Sequence, residues 1–510
     1  MSAAHGATLD DLVKRPIPLR AGIGSAHDVV STSSKDAQAW YDQGLAYLHS
    51  YVWLEAARSF NQALRIDPAL AMAHVGLTYA YTELSAPAAA RAALDRAKAL
   101  QGIASDHDRL HVALRTLQMD AESSERSRNV PRQIEYRAAL DAALARHPDD
   151  DELWLLRGHA ESADPAERGQ GSGAAAIRFY EKARALAPAD AGAHHYLTHA
   201  YENTGRIDEA RAEGARYASL APNIPHARHM HAHDLRRAGL MTEAIEEFRA
   251  ADALHTAWSK AEGIPPEYDW DYQHNLDLLA TSYQYIGQMR NAEPLLKASF
   301  ALASPLAQQE LNKRAWPVFL RARGRGEEAL AAAKVMAAHR SPLVSAAGHV
   351  EAGRAHLLLG RFPAAADEAN AALRLIREAP EGAGLVANPL QELQGEFFLR
   401  TGQREKGRSM LQNVVRKARL SPGPDAWTQT TFAIEAVARA ARDAGDWELA
   451  AWAATQLIEH DANYAGAHLA RALAAEHDGD QKTARAEFER ARELWSRADS
   501  DLPELNHKER

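Results

Sequence analysis

Small and large apolar residues recur along the chain with the spacing of paired helices. In the clearest stretch, residues 37–68, they fall at positions 4, 8, 11, 20, 24, 27 and 32 of a unit that starts at Ala37. These residues are Trp40, Gly44, Tyr47, Ala56, Phe60, Ala63 and Pro68. The small residues at positions 8 and 20 let two helices approach, the large ones fill the seam, and Pro68 ends the second helix. The pattern predicts a helical hairpin.

The same hairpin pattern returns about every 34 residues, as a glycine at position 15 and an alanine at position 20. The pairs are Gly205 and Ala210, Gly239 and Ala244, Gly287 and Ala292, Gly324 and Ala329, Gly360 and Ala365, Gly445 and Ala450, and Gly479 and Ala484. One hairpin cannot bury its own apolar face, so neighbouring hairpins must stack. We expect an all-α fold of about ten or eleven hairpins.

This spacing closely resembles the signature of tetratricopeptide-repeat (TPR) proteins. The resemblance implies a right-handed solenoid in which the first helix of each hairpin lines a concave groove. Most TPR modules bind a peptide or a protein partner in that groove.

Departures from the repeat divide the chain into four parts. An extended leader, 1–35, precedes an N-terminal array at 36–300, and a second array at 301–496 ends in a charged tail at 497–510. A Gly-rich stretch around 169–173 interrupts one hairpin, and 252–272 forms an insertion rich in aromatic and acidic residues. That insertion has two interpretations, a lid over a binding site or a surface loop held by its aromatic residues.

Composition narrows the functional classes. With 46% hydrophobic and 25% charged residues, and no apolar run near the ~18 residues that span a bilayer, we expect no membrane association. We find no secretory signal in the first twenty residues and expect a cytoplasmic protein. A net charge of −9 disfavours nucleic acid as a partner. Because the chain has no cysteine, any metal site must use nitrogen and oxygen donors.

Histidines are concentrated in two neighbouring repeats. Seven of the 24 lie within residues 194–233, and several occupy equal repeat positions. His195 and His229 stand at position 5, His199 and His233 at position 9, His226 and His274 at position 2, and Glu202 at position 12. At ~100° per residue these positions form one stripe on the first helix of each hairpin, away from its packed side. The TPR resemblance implies that this stripe faces the groove.

A stripe of imidazoles with one carboxylate is typical of sites for Zn, Fe, Cu or Ni. Residues four apart on a helix can share one ligand, and equal positions on adjacent helices can converge. We predict a mononuclear or dinuclear metal site with first-choice ligands His195, His199, His229 and His233. His226, His274 and Glu202 are alternative ligands or groups that orient the ligands. A polar groove for a peptide is the other interpretation.

The remaining histidines and groove acids have plainer interpretations. We predict packing roles for His194 and His231, and packing or surface roles for His49, His74, His349, His356 and His468. The pair His107 and His111 has the spacing of a ligand pair in a distorted repeat. Glu392, Glu396 and Glu435 fit a charged groove wall better than acid–base catalysts.

The histidine pattern also resembles that of a group of bacterial TPR proteins. Here it reads His195, His199, Glu202; His226, His229, Met230, His233; and Tyr272, His274, Asn275. The leader segment RPIPLRAGIG and the first-repeat segment QGLAYLHSYVW share the resemblance. The proline usual after the methionine is His231 in this chain. The resemblance implies a site but no particular reaction.

These observations predict a metal-dependent enzyme with Cu, Fe or Zn in the groove, acting on a small molecule or a peptide. Its chemistry would be that of an oxidoreductase, an oxygenase or a metal-assisted hydrolase. Glu202 and Tyr272 are the candidate catalytic residues. The alternative is a non-enzymatic TPR scaffold that binds a peptide or protein partner.

Overall fold

The structure, a computed structural model, describes residues 8–123, 126–161, 174–304, 306–380, 382–421 and 426–506. Within these residues the chain is a succession of α-helices joined by short turns, which confirms the predicted all-α solenoid of TPR type. The Gly-rich stretch at 169–173 lies outside the described residues. None of the described helices is long and apolar enough to cross a membrane.

Contacts between residues divide the chain into two units, Met1–Tyr272 and Gln273–Arg510. The sequence analysis placed the boundary between the two arrays near residue 300. The first unit begins with a short helix and continues with hairpins. Its helices are α1 Leu9–Val13, α2 Lys35–His49, α3 Trp53–Ile66, α4 Ala71–Glu83, α5 Pro87–Leu100, α6 Asp106–Glu122, α7 Arg126–Arg146, α8 Asp151–His159, α9 Ala174–Leu186, α10 Ala191–Asn203, α11 Ile207–Leu220, α12 Pro225–Arg237 and α13 Met241–Glu262.

Helix α14, Trp270–Tyr285, starts in the first unit and continues into the second. The other helices of the second unit are α15 Met289–Ala301, α16 Ala307–Asn312, α17 Ala315–Ala322, α18 Gly326–Ala337, α19 Pro342–Leu358, α20 Phe362–Glu378, α21 Gly384–Arg400, α22 Arg404–Arg419, α23 Ala426–Asp443, α24 Trp447–His460, α25 Ala465–His477 and α26 Gln481–Leu494. The tail after α26 is folded as far as it is described, with a 3-10 turn at Pro503–Asn506.

Eight of the hairpin turns that the structure describes have the left-handed backbone that the repeated glycine predicts. Gly205, Gly239, Gly287, Gly324, Gly360, Gly402, Gly445 and Gly479 all have φ between 69° and 85°. Residues with a Cβ rarely adopt this conformation, so glycine is the favoured residue there. The recurring glycine therefore marks the turn between the two helices of a hairpin.

Close helix packing explains the small residues of the repeat. In the first hairpins the ring of Phe60 lies against Gly44 of α2 and Gly76 of α4. A Cβ would come within 2.5 Å of the ring at Gly44 and within 2.4 Å at Gly76. The buried phenylalanine thus fills the space that the two glycines leave open.

The leader runs along the first unit and contains the short helix α1, which the prediction of an extended segment lacked. Buried polar side chains of the first hairpin hold its main chain. The amide nitrogen of Gln43 donates to the carbonyl of Pro18 at 3.1 Å, and a guanidinium nitrogen of Arg58 donates to that of Pro16 at 2.6 Å. Further on, the Asn223 N–H donates to the Gly22 carbonyl at 2.8 Å, beside the start of α12.

The insertion predicted at 252–272 is mostly helix, so its interpretation as a loop needs correction. Helix α13 continues through Glu262 and ends at Gly263, which has φ 60°. Only 263–269 form a connection, with a 3-10 turn at Pro266–Tyr268, before α14 begins at Trp270. The segment returns two aspartates, Asp269 and Asp271, to the buried histidines of the first unit.

Candidate metal site

Helices α10 and α12 carry the histidines, and the sequence fixes where each helix starts. The Asp190 carboxylate caps α10 by accepting a hydrogen bond from the Gly192 N–H at 2.6 Å, and α12 begins with Pro225. Gly192 lets α10 approach the end of α2 closely, because a Cβ there would lie 2.9 Å from the Cβ of His49. This approach brings the His49 carbonyl to His195.

Three imidazoles converge through their Nε2 atoms. The His195 Nε2 lies 3.0 Å from the Nε2 of His199 and 3.0 Å from the Nε2 of His226. All three residues are buried, with His195 at 0% and His199 and His226 at 3% exposure. We call these three residues the histidine trio.

Hydrogen bonds at Nδ1 decide which ring nitrogen carries the proton in two members of the trio. The Nδ1 of His195 is 2.6 Å from the main-chain oxygen of His49, and that of His226 is 3.0 Å from Asp271 Oδ1. A carbonyl or carboxylate oxygen only accepts, so each Nδ1 donates its proton. In a neutral ring Nε2 then carries a lone pair, directed in both residues at the centre of the trio.

Electrostatic interactions disfavour protonation of His195 and favour the ionised form of Asp271. Burial, reinforced by the neighbouring His199 and His226, lowers the pKa of His195 well below its usual value. Burial opposes ionisation of Asp271, but electrostatic interactions with His226 and His229 and the hydrogen bonds from His226 and His255 hold its pKa well below the usual range.

His255 supports Asp271 from the other side. The His255 Nε2 lies 3.2 Å from Asp271 Oδ2, and its Nδ1 lies 2.6 Å from Asp269 Oδ2. Burial works against protonation of His255, but the two carboxylates outweigh it and raise its pKa to about 10. A charged imidazole between two carboxylates therefore lies behind the trio.

The trio fits a metal ion better than it fits a hydrogen-bonded arrangement. The single lone pair on His195 Nε2 faces two other imidazole nitrogens, so hydrogen bonding satisfies only one of them. Donors bound to one ion at ~2.0–2.1 Å lie about 3.0–3.4 Å apart, which matches the separations in the trio. Donor hydrogen bonds from ligand imidazoles to a carboxylate and a carbonyl are usual around metal sites.

His229, His233 and Glu202 form a second buried group next to the trio. The ring of His229 stacks on that of His226 with centroids 5.5 Å apart, and the ring of His233 lies 4.9 Å beyond His229. The His233 Nδ1 is 3.4 Å from Glu202 Oε1. Of the four first-choice ligands, the structure therefore brings His195 and His199 together with the alternative ligand His226.

Two of the predicted site residues, the candidate catalytic residue Tyr272 and the alternative ligand His274, lie in α14. Tyr272 packs its ring against His255, with centroids 5.5 Å apart. His274 is half-buried and belongs to the second unit, beyond the division at Tyr272.

Several of the other histidines make structural hydrogen bonds. His194 contacts Glu213 at 2.5 Å and the carbonyl of Pro188 at 3.1 Å, and His231 lies 3.8 Å from Glu247. His49 is buried and binds the Glu152 carboxyl and the Tyr196 hydroxyl, each at 2.8 Å. The rings of His107 and His111 are tilted against each other, with centroids 4.5 Å apart, beside Asp28 and Asp150.

The groove acids of the second unit lie in ion pairs. Glu392 accepts two hydrogen bonds from Arg354, Glu396 lies 3.0 Å from Arg400, and Glu435 lies 3.7 Å from Arg439.

Comparison with protein families supports the repeat architecture independently. Two family models described as tetratricopeptide repeat match the chain, one at residues 167–233 and the other at 436–501. The first match includes the histidines of α10 and α12. The chain is a tetratricopeptide-repeat protein. Its repeats support a scaffold or interaction role, which is the common use of this family.

Solved structures with a similar course of the chain share little sequence with this TPR protein. The Cut9 and Hcn1 hetero-tetramer of the APC/C matches at 13% identity over 92% of this chain and 96% of the other, with a TM-score of 0.30. Yeast Tom70 matches at 12% identity over 82% and 92%, with a TM-score of 0.39. Human IFIT1 with m7Gppp-AAAA matches at 11% identity over 91% of each chain, with a TM-score of 0.37. These TM-scores carry no argument about function. A comparison with curated proteins finds no match.

Tyr51 is a site residue that the sequence analysis missed. It occupies position 15 of the first TPR unit, where most repeats have the turn glycine, and it has φ 59°. Its ring packs edge-on against His195 at 4.5 Å and lies 5.4 Å from His226 and 6.0 Å from His199. A bulky residue in a left-handed turn is strained, and such strain often marks a functional site. The missing glycine was therefore a signal in the sequence.

Trp270 closes the same side of the trio. Its indole N–H donates to the main-chain carbonyl of Tyr51 at 3.0 Å, and its ring stacks on Trp53 at 5.0 Å. The ring of Trp270 also lies 5.6 Å from that of His226. The aromatic rings of Tyr51 and Trp270 thus lie between the histidine trio and helices α2 and α3.

Proposed function

We propose that this TPR protein is a metal-dependent enzyme that holds a divalent transition metal, Cu, Fe or Zn, on His195, His199 and His226. The observation that carries the proposal is the convergence of the three Nε2 atoms, two of which are turned inward by hydrogen bonds at Nδ1. Neutral imidazoles suit these metals.

A ligand set of three side chains favours catalysis over storage, because catalytic sites keep open coordination positions. A metal bound there would supply Lewis acidity to a water or a substrate oxygen, or bind dioxygen if it were Fe or Cu. The chain's own residues supply the rest of the site. Asp271 and the His49 carbonyl orient two of the ligands, and Tyr51 and Trp270 exclude water from one side.

The proposal gives the remaining candidates supporting roles. His229 stacks on His226. On the far side of His229 lie His233 and Glu202, and the Glu202 carboxylate can accept a hydrogen bond from His233 Nδ1. Tyr272 fixes the ring of His255, which in turn holds Asp271. The metal and its ligands therefore rest on two buried layers of hydrogen bonds and ring contacts.

The alternative function is a scaffold whose groove binds a peptide or protein partner, as the TPR repeats themselves support. In that case the imidazoles would contact the partner directly. Their burial favours the metal site, because His195 and His229 are each 0% exposed.

The test is spectroscopy of protein loaded with Co(II) or Cu(II), followed by titration with azide. We expect nitrogen coordination by imidazole in the wild type and its loss in His195→Ala, while His468→Ala, which changes an imidazole of the second unit, behaves as the wild type. Azide should change the spectrum by occupying an open position. A site that binds metal but ignores azide would contradict catalysis, and a chain that binds neither metal would overturn the whole proposal.

A further inference from the structure

A cavity lies beside the histidine trio in the first unit. Its volume is about 230 Å³, far more than one water needs, and helices α2, α4, α6, α7 and α8 surround it. Tyr51 and Trp270 line it on the side of the trio, so the same aromatic rings contact both the cavity and the histidines.

A buried guanidinium lines this cavity. Arg115 of α6 is 2% exposed and lies over the ring of Tyr79, 3.7 Å from its centre. It donates to the Thr78 hydroxyl at 2.7 Å, and to the Thr78 carbonyl and the Thr82 hydroxyl at 3.3 Å each. All these acceptors are neutral. Among the described residues no carboxylate lies within ion-pair distance of Arg115.

Three of the four acids that line the cavity have other partners. Asp28 lies 3.1 Å from His107, Glu152 lies 2.8 Å from His49, and Glu122 accepts a hydrogen bond from Gln118 at 3.2 Å. A buried charge without a counter-ion in contact is unfavourable, so the positive charge of Arg115 favours a ligand that brings an anionic group to it. Guanidinium groups recognise carboxylates with two parallel hydrogen bonds.

The other residues that line the cavity indicate which chemical groups the rest of the ligand would have. Tyr136 and Tyr196 line the cavity together with Tyr79, one face of which is covered by Arg115, and such an aromatic wall favours an unsaturated or aromatic body. The Tyr51 hydroxyl is buried without a hydrogen-bond partner among the described residues, so it is available to a polar group of the ligand. Glu83 and Glu122 also line the cavity, and they would repel a second negative charge.

We propose that this cavity binds a small aromatic monocarboxylate, with its carboxylate on Arg115 and its ring between the tyrosines, directed towards Tyr51. The inference goes beyond the proposed function and does not depend on it.

The position of His49 connects the cavity with the trio. Its side chain binds Glu152 in the cavity wall, while its carbonyl accepts the proton of His195 Nδ1. A ligand in the cavity would therefore be separated from the metal ligand His195 by one residue, His49.

The experiment is calorimetric titration of metal-free, full-length protein with benzoate and with benzamide, which has the same shape without the charge. Phenylacetate and phenylacetamide form a second pair of probes. We expect each carboxylate to bind at least about tenfold more tightly than its amide, because one charge-assisted contact contributes ~1.5–3 kcal/mol. Using metal-free protein excludes binding of the carboxylate to the metal.

Arg115→Gln should remove the preference for the carboxylate, and Arg115→Lys should keep part of it. Arg157→Gln is the matched control, because Arg157 is also buried and lies over a ring, that of Phe179, yet is already paired with Asp141. It should leave the preference unchanged.

Equal affinity of the wild type for carboxylates and amides would overturn the inference, even if Arg115→Gln failed to fold. So would an unchanged preference in folded Arg115→Gln. Metal content, measured separately, would still test the proposed function.

Discussion

His195 and His226 each use Nδ1 as the donor of a hydrogen bond. In the neutral ring Nε2 therefore keeps its lone pair and can bind a metal instead of donating a proton. The acceptors differ, a main-chain carbonyl for His195 and the Asp271 carboxylate for His226. A substitution can remove only the second. The two ligands can therefore be perturbed separately.

Asp271→Asn should weaken metal binding about 10- to 100-fold, because an amide carries no negative charge and can present either its oxygen or its NH2 group to His226 Nδ1. Competition with a chromophoric chelator measures the change. Asp208→Asn, at an aspartate whose side chain is 90% exposed, is the control. Equal affinities for the two variants would show that Asp271 does not orient a ligand.

Tyr51 and Ser85 allow the strain of the turn to be separated from the contacts of the ring, since both have positive φ, 59° and 57°. Ser85→Gly should raise the free energy of unfolding by about 1 kcal/mol by relieving strain. Tyr51→Gly should lower it by about 1–3 kcal/mol, because loss of the buried ring outweighs the same relief. Chemical denaturation compares them. If Tyr51→Gly were as stabilising as Ser85→Gly, the ring would contribute nothing to the site.

His107 gives the first unit a stability that depends on pH. Burial works against its protonation, but hydrogen bonds with Asp108, Asp150 and Asp28 outweigh it and raise the pKa of His107 to about 12. The folded state holds this proton more tightly than the unfolded state, whose histidine has a pKa of 6.5. Its contribution is therefore complete below pH 6.5 and is lost as pH rises towards 12.

Between pH 7 and 9 the free energy of unfolding of the wild type should fall relative to that of His107→Gln by about 1–2 kcal/mol. Denaturation at the two pH values measures this. A difference between His107→Gln and the wild type that does not change with pH would contradict the assignment.

At this scale the sequence predicted which helix faces carry the histidines, because equal repeat positions of a solenoid lie side by side. It did not predict that His226 joins His195 and His199, since the rotation of one helix against the next depends on contacts such as that of Gly192 with His49. Asp271 could not be assigned either, because its partner His226 is distant in sequence.

Among the elements, the turns between paired helices were the most predictable, because a left-handed residue strongly favours glycine. The segment 252–272 was the least predictable. The repeat length places the end of α13 well before Glu262, but Ala-rich residues without glycine or proline let the helix continue to Gly263. Helix propensity prevailed there over the repeat length.

Close helix contacts should make some glycines far more sensitive than others. A Cβ at Gly348 of α19 would lie 2.1 Å from the backbone nitrogen of Ala337, so Gly348→Ala should destabilise by about 3 kcal/mol or more. Gly384, the first residue of α21, has no atom within 4 Å of the Cβ position. Gly384→Ala should be neutral or stabilise by up to about 1 kcal/mol. Similar midpoints of denaturation for the two variants would contradict this account of the packing.

At the scale of the whole molecule, a repeat architecture and a specific site were predicted from the same feature, the register of the repeats. The boundary between the two units at Tyr272 was not predicted, because the hairpin pattern continues across it without a break in composition. The trio, its supporting groups and the cavity all belong to the first unit. Metal binding is therefore expected to be a property of that unit.

Metal analysis of protein produced without a histidine tag tests the central claim most directly. After loading with Zn, Cu or Fe and gel filtration, the wild type should retain a stoichiometric amount of at least one metal, and His226→Ala should retain little. His231→Ala is the matched control, because His231 is on the same helix but lies beside Glu247, and it should bind as the wild type does. A wild type without stoichiometric metal, or a His226→Ala variant with an unchanged metal content, would contradict the metal site on His195, His199 and His226.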